Sequence, residues 1–176
     1  MKLNVHDIEE GAKELVYEEG TDQLNNLLLH GGVRDFEFPN AVHVRLEYYR
    51  AGQELFFQGQ ISGPVLGHCA RCLEEYPFRL ATDFSVVIVP KGPLPPEVEL
   101  SDELLDLSYY EGEEIDLSPV VDEQIILALP TRPLCRESCK GLCPQCGANR
   151  NTEACRCTTA TGDPRLAVLR NLKVGH

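Results

Sequence analysis

The chain lacks the marks of export. Its first residues, MKLNVHDIEE, hold no basic stretch followed by an apolar one, so no secretory signal is expected. No apolar run approaches the length that crosses a bilayer, and no membrane association is expected. Catalytic motifs are also missing. There is no phosphate-cradling G-x-x-x-x-G-K-[ST] loop. The five histidines (His6, His30, His43, His68, His176) form no spacing motif, and no carboxylate cluster has the spacing of a nuclease metal site. These absences point away from an enzyme and toward a cytoplasmic protein. Cations are scarce in most of the chain. Residues 1–130 hold 8 Lys and Arg against 25 Asp and Glu, whereas residues 131–176 hold 8 against 3. The long acidic part would repel a phosphate backbone, while the basic tail can approach one.

What the sequence does have is cysteine in one place. Six of its eight cysteines lie between Leu134 and Cys157, spaced C-x3-C-x3-C-x2-C-x8-C-x-C. Cys143-Pro144-Gln145-Cys146-Gly147 is a knuckle, a turn that aims two thiolates at one ion. Gly147 can take the positive φ that leads the chain out of it. The second pair needed for a tetrahedral Zn²⁺ site is Cys135 with Cys139, or Cys155 with Cys157, and spacing does not choose between them. In a cytosolic chain, clustered cysteines favour metal over disulfides. The spacing does not fit the usual iron–sulfur runs, and a thioredoxin-type dithiol needs a strand-to-helix setting absent here. Saturation with thiolates favours a closed structural site.

A further pair, Cys69 and Cys72, stands apart in Cys69-Ala70-Arg71-Cys72-Leu73. It is half a metal site that tail cysteines can complete, with His68 as another candidate ligand, or it is a pair of reduced thiols packed in a turn.

The organisation is read as α+β: residues 1–130 an acidic, β-rich domain with a packed helix, and residues 131–176 a basic, cysteine-rich zinc-binding tail. Leu3 and Val5 suggest an edge strand, Leu15 to Tyr17 another, and Gln23 to His30 a helix closed by Gly31-Gly32. From Ala41 the apolar period becomes 2. Strands are expected over Val42–Tyr48, Leu55–Ile61, Val65–Cys69 and Phe78–Pro90, with turns at Ala51-Gly52-Gln53 and Ser62-Gly63-Pro64. This is an antiparallel meander, either open or curled into a partly closed barrel. Glu97 to Asp116 holds nine acidic residues and no basic ones and reads as a mobile solvated loop, within which Leu104 to Tyr110 can form a short strand. Ser118-Pro119 marks a helix start, with Ser118 as cap, and Pro130 its end. Asp122 and Glu123 are expected on its solvated face. Asp163-Pro164-Arg165 begins a second helix carrying Leu166, Leu169 and Leu172 on one face.

Taken together, C-x-R-C-L at Cys69–Leu73, DEQIILALP at Asp122–Pro130, PLC-x3-CKGLCPxCGxN at Pro133–Asn149, C-x-C at Cys155–Cys157 and DPRLAVL at Asp163–Leu169 resemble the bacterial YceD family, the large ribosomal RNA subunit accumulation proteins. The resemblance implies a noncatalytic factor supporting synthesis, processing or accumulation of large-subunit rRNA during ribosome biogenesis. Its partners would be large-subunit rRNA precursor or ribosomal assembly proteins. Arg136, Lys140, Arg150 and Arg156 of the tail are the candidate RNA contacts. The alternative is a zinc-binding protein-interaction module that affects rRNA only indirectly.

Overall fold

A computed structural model describes residues 1–32, 35–92 and 107–157. The strands are β1 (Lys2–Asn4), β2 (Lys13–Glu19), β3 (Phe36–Glu37), β4 (Val42–Ala51), β5 (Glu54–His68), β6 (Glu75–Pro90), β7 (Leu107–Tyr110) and β8 (Glu114–Asp116). The helices are α1 (Asp22–His30) and α2 (Ser118–Ala128), and a 3-10 turn follows β1 at Val5–Asp7. The expected helix from Asp163 lies outside the described residues.

The main sheet runs β2-β4-β5-β6-β7, with β3 also paired to β5; β1 and β8 form a separate antiparallel pair. Two features depart from the expected meander. Ser62-Gly63-Pro64 is no turn: β5 runs unbroken through it and pairs with β6 from Leu55↔Ile88 to His68↔Glu75. Pro64 is tolerated because it falls where β5 changes neighbours. Its last β4 pair is at Ser62 and its first β3 pair at Leu66, so this stretch is locally a free edge. The second departure is β7, which pairs parallel to β6. The strand itself answers the short one expected within Leu104–Tyr110, and residues 97–106 of the acidic run lie outside the described residues. Among the described residues the sheet stays open, with β2 and β7 as its ends.

Alternation places Val42, Val44 and Leu46 of β4, Leu55, Phe57 and Ile61 of β5, and Leu80, Phe84 and Ile88 of β6 in one buried cluster. Leu24 and Leu28 of α1 and Val121 and Ile125 of α2 belong to the same cluster. The start of α2 differs from expectation. Leu117 is its N-cap and Ser118 its first residue, whose N–H donates to Asp116 Oδ1 at 3.0 Å. Asp122 is also not on a solvated face: it is 8% exposed. Burial, then the charges of Glu19 and Asp116, raise its carboxyl above the usual range. An antiparallel hairpin of two long strands thus carries the core. Its β5–β6 tip, at Cys69–Glu74, projects the first cysteine pair.

Candidate metal centre

The tip of the β5–β6 hairpin is a knuckle. The Leu73 N–H donates to the Cys69 carbonyl at 2.8 Å, and the chain leaves the turn at φ +60°. The second knuckle repeats it: the Gly147 N–H donates to the Cys143 carbonyl at 2.9 Å, and Gly147 has φ +73°. Both C-x-x-C pairs therefore have the same local conformation, although one closes on glycine and the other on leucine.

Residues 133–142 lie against the hairpin tip. The Ala70 N–H donates to the Pro133 carbonyl at 2.8 Å, and the Leu142 N–H to the Arg71 carbonyl at 2.9 Å. Arg71 donates to the carbonyls of Glu137 (3.1 Å) and Cys139 (2.8 Å). Gly141 makes this approach possible. It has φ +69°, and a Cβ there would sit 2.9 Å from the Arg71 carbonyl oxygen.

These contacts gather all eight cysteines into two tetrads. Cys69, Cys72, Cys135 and Cys139 form an inner one; Cys143, Cys146, Cys155 and Cys157 form an outer one. Within each, the four sulfurs lie within 4.8 Å of one another. Cys69–Cys139, Cys72–Cys135 and Cys146–Cys155 are each separated by 3.8 Å. A tetrahedron of thiolates about 2.3 Å from one ion has edges of about 3.8 Å, so the donor set fits a single four-coordinate ion in each tetrad. The knuckle thus pairs with Cys155 and Cys157, and Cys135 with Cys139 completes the site begun at Cys69 and Cys72. His68 joins neither tetrad. Its Nε2 lies 4.0 Å from Glu75, and its buried Nδ1 has no hydrogen-bond partner among the described residues.

The electrostatics divide the thiols of each tetrad. Burial opposes ionisation of Cys69, but hydrogen bonds from the backbone of Cys135, Cys72 and Arg71 outweigh it and bring the thiol down to about 6. Backbone hydrogen bonds from Cys146 and Gln145 bring Cys143 to about 6 as well. The last thiol of each group pays for this. Burial, followed by sharing hydrogen bonds with Cys69, Cys139 and Cys72, pushes Cys135 up to about 12. Sharing hydrogen bonds with Cys146 and Cys155 pushes Cys157 to about 12. Crowding thus leaves some thiols of each tetrad easy to ionise and others hard, and a bound divalent ion would let all four ionise together.

A family model described as large ribosomal RNA subunit accumulation protein YceD matches residues 57–173, spanning both tetrads and most of the chain. The chain belongs to the YceD family. It is 27% identical to the protein YlbN of Bacillus subtilis over 98% of this chain and 96% of that one. It is 25% identical to the chloroplastic large ribosomal RNA subunit accumulation protein YCED homolog 1 of Arabidopsis thaliana, over 80% of this chain and 51% of the relative. An uncharacterised protein of Mycobacterium tuberculosis is 34% identical over 51% of this chain, and the match spans only 42% of that protein. No solved structure matches. Among the described residues of this YceD-family chain, no helix is long and apolar enough to cross a membrane.

Arg136, Lys140, Arg150 and Arg156 are all exposed, interleaved with the ligands of both tetrads. Sequence reasoning missed the asparagines between them. Asn149 is buried; its Oδ1 accepts from the Asn151 N–H at 3.0 Å and from Asn151 Nδ2 at 2.9 Å. Asn151 Nδ2 also reaches Cys139 Sγ at 3.3 Å, while its Oδ1 accepts from the Lys140 N–H at 2.9 Å. Asn151 sits in the loop between two outer ligands yet hydrogen-bonds an inner one. The only sequence signal was an N-x-N inside a cysteine cluster. Asn151→Leu is expected to weaken metal binding at the inner tetrad by about 10–100-fold, the usual cost of losing a partner that orients a ligand. A competitive chelator titration checks it; an unchanged inner-site affinity would show that the amide is dispensable.

Proposed function

We propose that the protein is a noncatalytic, zinc-bearing factor supporting the synthesis, processing or accumulation of large-subunit ribosomal RNA in the cytoplasm. The match to the YceD family over residues 57–173 carries this reading. The Arabidopsis relative, a large ribosomal RNA subunit accumulation protein homolog by name, supports it. Zinc is assigned because compact tetrads of four sulfurs suit a single Zn²⁺. A four-iron cluster, with one thiolate per iron, spreads its ligands more widely. All ligand positions are taken by thiolates, which supports a structural role for the metal.

The charge distribution suggests how such a factor works. Arg136, Lys140, Arg150 and Arg156 are held at fixed positions by the two tetrads and would meet rRNA phosphates. The acidic body, residues 1–130, would be repelled by rRNA and suits a basic ribosomal protein instead.

Binding to precursor large-subunit rRNA across a salt series tests the reading. The triple variant Lys140→Glu, Arg150→Glu, Arg156→Glu is expected to bind on the order of tenfold or more weakly near physiological salt, with a log–log salt slope flatter by about 2. Equal affinity and slope for the two proteins would remove direct RNA contact. The alternative would then stand: a zinc-bearing protein-interaction module with an indirect effect on rRNA.

A further inference from the structure

The two tetrads share chemistry but differ in access. In the inner one Cys69 is 0% exposed and Cys72 and Cys139 are each 4% exposed. They pack with Tyr76, Leu134 and Leu142, and Asn151 and Arg71 close over Cys139. In the outer one only Cys143 is buried; Cys155 is half-buried, and Cys146 and Cys157 are exposed. The inner tetrad bridges the β5–β6 hairpin and residues 135–139, whereas the outer draws all its ligands from residues 143–157. A thiolate reacts with a dissolved oxidant only if the oxidant can reach its sulfur. Cys146 and Cys157 of the outer tetrad offer that access, whereas in the inner one Cys135 is half-buried and the other three are buried.

We propose that Cys146 and Cys157 form an oxidation site, at which peroxide joins them in a disulfide and frees the outer metal while the inner tetrad keeps its ion. The proposal rests on the assignment of metal to both tetrads. One exposed thiolate attacks a peroxide oxygen; the O–O bond breaks, a sulfenic acid forms and hydroxide leaves. The second exposed thiolate attacks that sulfur, the S–S bond forms and a second hydroxide leaves. Two electrons pass from the sulfur pair to the peroxide. The sulfurs lie within 4.8 Å of each other, so a small shift of two exposed loop residues brings them to bonding distance. Only two thiolates, Cys143 and Cys155, then remain in the outer tetrad. The segment that carries Arg156 loses its anchor, while Arg150 stays held by its N–H bond to the Gly141 carbonyl and by Asn151 on Cys139 and Lys140, and the inner tetrad still holds residues 135–139 to the hairpin.

The test uses the full chain as purified, with hydrogen peroxide as the probe. Released zinc is followed with a colorimetric chelator, and linked cysteines are mapped by mass spectrometry after blocking free thiols. The expected result is loss of one of two zinc equivalents together with a Cys146–Cys157 disulfide. Loss of the second should be at least ten times slower, and reductant plus zinc should restore the first. Release of both ions at one rate, release of neither, or a disulfide between another pair would overturn the proposal. Failure of the metal assignment is separately visible, because the chain would then start without two equivalents.

Discussion

Cys139→Ser is expected to lower bound zinc from two equivalents to one and to reduce the free energy of unfolding by about 4 kcal/mol. The size follows from where the inner tetrad sits in the chain. It joins Cys72 to Cys135, 63 residues apart, and Cys69 to Cys139, 70 apart. A cross-link over a loop of that length restricts the unfolded chain by about 4 kcal/mol in the loop-entropy description, and a metal clip acts the same way. For a chain of this size the melting temperature should fall by about 8–16 °C. Cys157→Ser should also cost one zinc equivalent, yet behave differently. The outer tetrad closes only short local loops, such as that between Cys146 and Cys155, nine positions apart. Its loss frees a segment that opens on its own, and unfolding of the sheet should change by less than about 1 kcal/mol. Metal analysis and thermal melts on the two variants check this. Equal drops in melting temperature would mean that the inner tetrad does not tie the fold together.

Phe57→Ala should destabilise the chain by about 3–5 kcal/mol while leaving its zinc content intact. Phe57 is 1% exposed and lies in the middle of the main sheet. It pairs across the strands with Tyr48 of β4 and Val86 of β6, and its ring stacks on Tyr48 with centroids 6.2 Å apart. Truncation leaves a cavity between two long strands that the hydrogen-bond ladder prevents from collapsing. The metal sites lie at the far end of the same strand, about 40 Å along it at roughly 3.3 Å per residue, so their loading should not change. Denaturant melts with metal analysis test both halves. A variant that lost zinc along with stability would show that core and metal sites are coupled. Together with Cys139→Ser, the pair separates apolar burial from metal cross-linking as sources of stability.

Much of the fold was legible in the residues. The alternation of Val42, Val44 and Leu46 against His43, Arg45 and Glu47 requires a strand with one buried face, and Gly52 marks its hairpin. Ser62-Gly63-Pro64 misled because proline and glycine are read as turn signals wherever a neighbour is assumed on both sides; here β5 changes partners at that point. A short strand within Leu104–Tyr110 was legible, but its parallel pairing to β6 was not, because the acidic flanks describe solvation and not pairing. Asp122 looked solvated because helical spacing alone does not say how deeply the first turn of α2 is set against Glu19 and Asp116.

The candidate site divides along the same line. The residue types determined by themselves that a four-thiolate site exists, that Cys143 and Cys146 belong to one knuckle, and that basic residues lie among the ligands. These are local facts, set by turn geometry and by thiolate chemistry. The partition into tetrads was decided only by the tertiary structure. Cys69 and Cys72 stand more than sixty residues from Cys135 and Cys139, and no local rule spans such a gap. The length of the β5–β6 hairpin carries the first pair out to the point where Arg71, Ala70 and Gly141 lock the returning chain. That docking takes Cys135 and Cys139 into the inner tetrad and leaves Cys155 and Cys157 to complete the exposed outer one.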